Sequence, residues 1–307
     1  MQNIVITGAS GLIATELTFR LLNQSDINLI LLSTHPEKLR QRYDGYFNVH
    51  CLTLDEFITH YRLGDFKTII HTAFARSNNG RLLVESVNYT RRLLDFVQEC
   101  NVHSFINISS QSVYGVSTPP MWREDAPLDP AVGDMYALAK TFTETLVNVM
   151  LGGGRVNYTN IRLSSVCENA RFLRVFVGKA LAGEPIQVQG GEQRFSFIDV
   201  RDVASALETL IMQSDDISFR PVYNLGTNRQ STLIGLAEEV KRVAEERYHT
   251  QPVQILRTPS DDHRSVGMDC SCFMEDFSWK PVLSDADMIV SLFEYLTDVN
   301  GGVFDSF

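Results

Sequence analysis

The chain has 307 residues, of which 44% are hydrophobic and 21% charged, and it carries a formal net charge of −10. This composition is typical of a globular protein with one large domain or two unequal domains. The acidic balance argues against a broad basic face, so we expect no nucleic-acid partner.

The start of the chain and its cysteines bear on location and metal binding. Met1 leads into the strand-like Ile4-Val5-Ile6 without a signal-peptide pattern, and there is no run of about 18 apolar residues. The five cysteines show neither CxxC pairs nor zinc-ligand spacing. We therefore expect a cytoplasmic protein with reduced thiols, no metal site and no membrane partner.

The first half of the chain alternates short β-branched runs with longer helical patterns. The predicted strands are 3–7, 28–32, 48–52, 68–72, 104–109 and 156–163. The predicted helices are 11–22, 37–43, 54–61, 82–100 and 135–151. This alternation predicts an α/β fold with a doubly wound parallel sheet in residues 1–165. Such sheets bind ligands outside the carboxyl ends of their strands.

After residue 163 the elements become shorter and glycine and proline are scattered among them. Helices are predicted at 172–182, 203–212 and 233–248, and strands at 185–189, 195–199 and 252–256. We expect residues 166–307 to form a smaller α/β lobe that binds the substrate, with the possibility that a strand or helix returns to the first domain.

A glycine turn follows the first predicted strand. Gly8 permits a tight turn, Gly11 lets the backbone approach a pyrophosphate, and Ala14 permits close packing of the helix on the strand. The next helix would direct free N–H groups at the phosphates. A purely structural turn is the alternative, but the context after a strand and before a helix favours a Rossmann-type dinucleotide site. The predicted contacts here also include Ser10, Leu12 and Ile13.

The end of the second predicted strand bears on the choice between NAD and NADP. Ser33 and Thr34 stand where an acidic residue would bind a free ribose hydroxyl. With cations downstream at Lys38, Arg40 and Arg42, this favours NADP slightly while leaving NAD open. The same cations would equally suit a solvated helix face.

Three side chains suggest proton transfer at a hydroxyl. Tyr136 and Lys140 are four residues apart, so both project from one face of a helix. A nearby cation lowers the pKa of a phenol from its usual value of about 10, and we expect Lys140 to do so for Tyr136. Ser110 follows a predicted strand, where its hydroxyl can hydrogen-bond a substrate oxygen and share its proton with Tyr136.

Nearly the whole chain resembles the NAD-dependent epimerase/dehydratase branch of the extended short-chain dehydrogenase/reductase family. The matching segments are the glycine turn, 67–75, Asn88-Tyr89-Thr90, 109–115, the pair Tyr136 and Lys140 followed by Glu144, 194–204 and 223–226.

The resemblance implies a role for each matching residue. Tyr136 is the acid/base, Lys140 holds the nicotinamide ribose, and Ser110 polarises the substrate oxygen. Arg194 and Arg264 would contact a nucleotide-sugar diphosphate, although a packing salt bridge and a surface position are the respective alternatives. Dimers of this family often form through two long helices, here 82–100 and 135–151, so we expect a homodimer. Further cofactor contacts are expected at Ala73, Phe74, Ala75, Asn88, Ser109, Leu163 and Val166.

Departures from the family pattern bear on the reaction. Gln111 and Ser112 replace the Asp-Glu pair that dehydratases use to eliminate water, which argues against dehydration. Ser165 replaces an asparagine that approaches the diphosphate, and the segment 166–177 is shorter than usual. Gln111, Ser112 and Ser165 are thus expected at the substrate, whose binding would differ from that of relatives.

The leading hypothesis is an NAD(P)-dependent nucleotide-sugar epimerase, similar to a 4-epimerase, in which Tyr136 exchanges the proton of a sugar hydroxyl. The second is an NADPH-dependent ketosugar reductase or dehydrogenase, which would use the same three residues but exchange its cofactor at each turnover. The third is a non-catalytic protein that binds a dinucleotide, against which the intact pair Tyr136 and Lys140 argues.

Overall fold

A computed structural model of the protein describes residues 1–115, 121–130 and 134–299. Its centre is a sheet of seven strands that all run parallel, in the order β11-β6-β5-β4-β1-β2-β3. The six predicted strands all belong to it, and β11 is added at one edge. The strands are β1 Gln2–Thr7, β2 Ile27–Leu32, β3 Val49–Leu52, β4 Asp65–His71, β5 Asn101–Ser110, β6 Asn157–Leu163 and β11 Val222–Leu225.

Helices cover both faces of this sheet, which explains why its inner strands are almost continuously apolar. On one face, Leu17 and Leu207 join the core with Ile6; on the other, Leu93 and Val147 pack with Phe105. This confirms the α/β doubly wound class. The helices are α1 Leu12–Leu21, α2 Pro36–Arg42, α3 Leu54–His60, α4 Gly80–Glu99, α5 Met135–Leu151 and α7 Val200–Gln213.

Two of the helices that start at the carboxyl edge of the sheet, α4 and α5, begin with side-chain caps beside a cavity. Asn79 Oδ1 accepts from Arg81 N at 3.0 Å and begins α4, while Asp134 Oδ1 accepts from Ala137 N at 2.9 Å and begins α5. Caps of this kind satisfy N–H groups that have no partner within the helix. They therefore determine where Tyr136, in the first turn of α5, enters the site.

A second apolar core lies within the smaller lobe, where Phe176, Val240 and Leu292 pack together. The short strands of the lobe pair away from the central sheet. Its helices are α6 Arg171–Leu181, α8 Leu233–Arg247 and α10 Asp285–Val299, and its strands are β7 Ser165–Val166, β8 Ile186–Gln189, β9 Arg194–Phe195, β10 Phe197–Ile198, β12 Ser231–Thr232, β13 Ile255–Thr258 and β14 Ser265–Val266.

The single strand predicted at 195–199 is wrong, because the chain changes partners at Ser196. Residues before this point pair with β12 and β14, whereas Phe197 and Ile198 pair with β7. Phe195 and Phe197 both pack toward the lobe core, which masks the break in the sequence pattern.

The chain after residue 165 contributes to both cores. After α6 it returns through α7, which packs beside α1, and through β11, which pairs with β6; the short helix α9 Ser271–Asp276 then packs against β11. The final residues of the predicted lobe, 300–307, lie outside the described part of the chain. None of the helices described is both long enough and apolar enough to cross a membrane.

Candidate active site

A cavity of about 530 Å³ opens at the carboxyl edge of the central sheet. Ser110, at the end of β5, lines it together with Tyr136 and Lys140 from α5. The ends of parallel strands meet at one edge of a sheet, so residues far apart in sequence converge there. The structure thus brings together the three side chains predicted to be catalytic.

The Ser110 hydroxyl is hydrogen-bonded to its neighbours in this cavity. It accepts from Ser112 N at 3.2 Å and from Ser112 Oγ at 3.0 Å, and it is near enough to the Tyr136 hydroxyl to lower the pKa of that group. Because the 3-10 turn Gln111–Tyr114 follows β5 directly, Ser110 caps that turn as well as facing the cavity. A substrate hydroxyl placed here would meet two hydroxyl groups that already share a hydrogen bond.

Lys140 is buried, with only 4% of its surface exposed. Its Nζ donates to Ile108 O at 2.7 Å and lies 3.9 Å from the centre of the Phe74 ring. Burial lowers the pKa of Lys140 to about 7, although the Glu144 carboxylate opposes the shift. Its ammonium group is therefore oriented by a carbonyl and an aromatic face.

The expectation that Lys140 lowers the pKa of Tyr136 is wrong for this structure. Burial raises the pKa of Tyr136, and the groups that oppose this shift are the Arg76 guanidinium and the Ser110 hydroxyl. The Lys140 Nζ lies 5.8 Å from the centre of the Tyr136 ring, and its hydrogen bond goes to Ile108 O instead. The i, i+4 spacing places both groups on one face, but it does not determine where their polar atoms point.

The glycine turn has the features that a dinucleotide requires. Gly8 has a positive φ of 62°, and a Cβ there would lie 2.9 Å from Ala73 N and Cα. Gly11 precedes α1 with extended backbone and no capping side chain, so the first N–H groups of the helix have no cap. Such a helix start binds phosphate oxygens. The residues of the turn therefore fit the phosphates of a dinucleotide.

The remaining residues of the turn, Ser10, Leu12 and Ile13, lie at the same sheet edge, and Ile13 lines the cavity. Phe74 lines it from the loop after β4, where Thr7 Oγ1 accepts from Ala73 N at 3.1 Å and Ser86 Oγ accepts from Ala75 N at 3.0 Å. The other predicted cofactor residues that line the cavity are Ser109, Leu163 and Val166.

A model of the NAD dependent epimerase/dehydratase family matches residues 4–226. The chain belongs to this family. It is 24% identical over 261 residues to the low-salt glycan biosynthesis protein Agl12 of Haloferax volcanii, covering 78% of this chain and 81% of that protein. It is 22% identical to dTDP-D-glucose 4,6-dehydratase of Mus musculus, covering 80% of this chain and 74% of that protein.

The fold of this family member also resembles solved structures of epimerases. A mutant UDP-glucuronic acid 4-epimerase from Bacillus cereus, in complex with UDP-4-deoxy-4-fluoro-glucuronic acid and NAD, superposes with a TM-score of 0.80. The sequence identity is 18%, and the match covers 97% of this chain and all of that one. At this identity the likeness concerns the fold.

The three residues that depart from the family pattern, Gln111, Ser112 and Ser165, line the cavity. Gln111 Nε2 donates to Ser165 Oγ at 2.8 Å. Gln111 Oε1 is buried and has no hydrogen-bond partner within the described residues. This carboxamide oxygen can accept a hydrogen bond from a ligand hydroxyl, so the pair forms a neutral, polar part of the wall.

Several predicted site residues lie away from the cavity. Asn88 is on the exposed face of α4, and Ser86, two residues earlier, makes the contact with the loop after β4. Arg194 is exposed on β9, and Arg264 forms an ion pair with Asp262 at 2.8 Å. Neither arginine lines the cavity. Ser33 and Thr34 follow β2 at the sheet edge, also outside its lining.

The sequence analysis missed four polar side chains that line the cavity from outside the strands. Arg76 and Asn78 belong to the loop after β4, Asp134 caps α5, and Asn169 precedes α6. The signal for Arg76 and Asn78 in the sequence is that their loop directly follows a strand whose carboxyl end faces the site.

A buried ion pair lies next to the residues that line the cavity. Arg162 Nη2 donates to Glu144 Oε2 at 2.9 Å, and Ser109 Oγ donates to Glu144 Oε1 at 2.5 Å. Arg162 Nη1 donates to the Tyr114 hydroxyl at 2.9 Å, which donates in turn to Asn224 Oδ1 at 2.7 Å. The network joins α5 to β5, β6 and β11, beside the residues that face the cavity.

Proposed function

We propose that the protein is an NAD(P)-dependent nucleotide-sugar epimerase that interconverts configuration at a sugar hydroxyl. The observation that supports this best is the convergence of Ser110, Tyr136 and Lys140 in one cavity beside the glycine turn. A bound nicotinamide dinucleotide supplies a group that accepts and returns a hydride. Family membership and the epimerase fold agree with this chemistry.

In the proposed mechanism, the Tyr136 hydroxyl exchanges a proton with the reacting sugar hydroxyl. Ser110 hydrogen-bonds the same oxygen and keeps it in line with Tyr136. Lys140, oriented by Ile108 O and the Phe74 ring, would hold the nicotinamide ribose. An epimerase must also let the oxidised sugar present its other face to the nicotinamide before the hydride returns.

Dehydration is disfavoured because Gln111 and Ser112 provide no carboxylate to protonate a leaving hydroxyl. The carboxylate that does line the cavity, Asp134, is engaged as the cap of α5 through Oδ1. The matched dehydratase of Mus musculus is thus a relative by sequence, and we do not transfer its reaction to this chain.

The test is Tyr136→Phe, assayed for epimer formation from a panel of nucleotide-sugars by NMR. We expect loss of interconversion with dinucleotide binding retained, because the substitution removes only the exchanging hydroxyl. Tyr46→Phe, at a partly exposed surface ring, is the matched control and should behave as wild type. Normal turnover in Tyr136→Phe would contradict the proposal.

A ketosugar reductase is the second candidate, and the end of β2 favours it. Ser33, Thr34 and His35 present no carboxylate to repel a 2′-phosphate. A reductase would exchange NADPH, whereas an epimerase benefits from retaining NAD. Mass spectrometry of the dinucleotide released from native protein discriminates the two: retained NAD contradicts the reductase, and a freely exchanging NADP contradicts the epimerase.

We also propose a homodimer formed through α4 and α5. Met135, Leu138, Phe142 and Val149 are all at least half exposed and share one face of α5. Packing of this apolar face against a second copy of the chain would bury these side chains and stabilise the dimer through the hydrophobic effect. Sedimentation velocity should show a dimer that Phe142→Asp dissociates; a monomeric wild-type protein would contradict this.

A further inference from the structure

One cationic side chain of the cavity has no role in the mechanism above. Arg76 lines the cavity from the loop after β4, and its Nη2 donates to Asn169 O at 3.3 Å. Within the described residues, no carboxylate lies within salt-bridge distance of it. Arg264, by contrast, is paired with Asp262, and Arg194 lies away from the lining. Arg76 is thus the cavity arginine available to an anion.

The loop that carries Arg76 is fixed against the acid/base. Asn78 Oδ1 accepts from Tyr136 N at 3.2 Å, and the Phe74 ring meets the Tyr136 ring edge-on at 6.0 Å. Arg76 is also the leading charged group that lowers the pKa of Tyr136 against burial, while Asp134 raises it. The residues on both sides of Arg76 therefore hold this exposed side chain on the side of the cavity that carries Tyr136.

We propose that Arg76 binds a carboxylate on the ring carbon next to the reacting one, so that the substrate is a nucleotide-linked uronic acid. This inference rests on the proposed function. A guanidinium fork matches a carboxylate with two parallel hydrogen bonds. The nucleotide diphosphate is attached to the anomeric carbon, farther from the reacting hydroxyl, and is the other possible source of negative charge.

The experiment measures binding by calorimetry to the protein purified with its dinucleotide. The ligands are UDP-glucuronate, UDP-glucose and UDP, and the variants are Arg76→Met and Arg76→Lys. We expect Arg76→Met to weaken UDP-glucuronate about 10- to 100-fold, since it removes charged hydrogen bonds, and to leave the other two unchanged. Arg76→Lys should restore part of the affinity. Arg81→Met, at an exposed arginine on α4, is the matched control.

Other results would overturn the assignment. Equal losses for all three ligands would mean that Arg76 binds the diphosphate, and weaker dinucleotide retention would mean that it serves the cofactor. Unchanged binding of UDP-glucuronate would exclude any anion contact. If wild-type protein binds UDP-glucose but not UDP-glucuronate, the uronic acid is excluded while the epimerase proposal stands. If wild-type protein binds neither UDP-glucose nor UDP-glucuronate, and mass spectrometry finds no nucleotide-sugar in native protein, both proposals are contradicted.

Discussion

The buried pair of Glu144 and Arg162 should dominate the stability of the site. Their side chains are only 5% and 7% exposed, and three hydrogen bonds of 2.9 to 3.2 Å join them. Removing one partner of such a pair leaves an uncompensated buried charge, which costs about 3–5 kcal/mol. We therefore expect Glu144→Leu and Arg162→Met each to lower the free energy of unfolding by about that amount.

The double variant tests the reasoning further. With both charges gone, the remaining loss comes from the Ser109 hydroxyl, which loses its acceptor, and from the Tyr114 hydroxyl, which loses the Arg162 donor but keeps its bond to Asn224. We therefore expect the double variant to cost about 1–3 kcal/mol, well below the sum of the single effects. Urea unfolding, with comparison of midpoints and slopes, measures all three variants. Glu85→Leu removes a carboxylate from an exposed pair and should cost less than about 1 kcal/mol. Additive single effects would refute the argument.

Two further predictions concern strain and pH. Gly8→Ala should lower the free energy of unfolding in urea by about 3 kcal/mol, because φ is positive there and the added Cβ would meet the Ala73 backbone. Gly45→Ala also has a positive φ but open space around it, and should lower the free energy of unfolding by about 1 kcal/mol. Equal losses would contradict this argument. Burial, reinforced by the Asp199 charge, raises the pKa of Glu168 to about 7. The folded protein therefore favours the protonated carboxyl: this contribution to stability is fully present below about pH 4.5 and is lost as pH rises through 7. Glu168→Gln should therefore stabilise by about 2–3 kcal/mol at pH 8 and little at pH 5, and a pH-independent effect would contradict that assignment.

Much of the fold follows from local pattern. Six strands of the central sheet were predictable because a strand buried on both faces is a continuous apolar run, and the glycine turn marked the edge of the sheet at which the cavity opens. The strand predicted at 195–199 failed because Phe195 and Phe197 are both apolar, and periodicity does not report which neighbour each residue pairs with. The seventh strand, β11, joins the sheet through a long-range pairing with β6.

The sequence by itself determined that Ser110, Tyr136 and Lys140 would meet at one edge of the sheet. The spacing of Tyr136 and Lys140, with Ser110 after a strand, depends on helix geometry and strand order, which are local properties. Only the tertiary structure decided which charged groups lie near the Tyr136 hydroxyl and shift its pKa. It buried Lys140 against Ile108 O and placed Arg76 beside Tyr136, because the direction of a charged group depends on neighbours from several strands and loops. For the same reason it placed Arg194 outside the cavity, although its position in a family motif had suggested a phosphate contact.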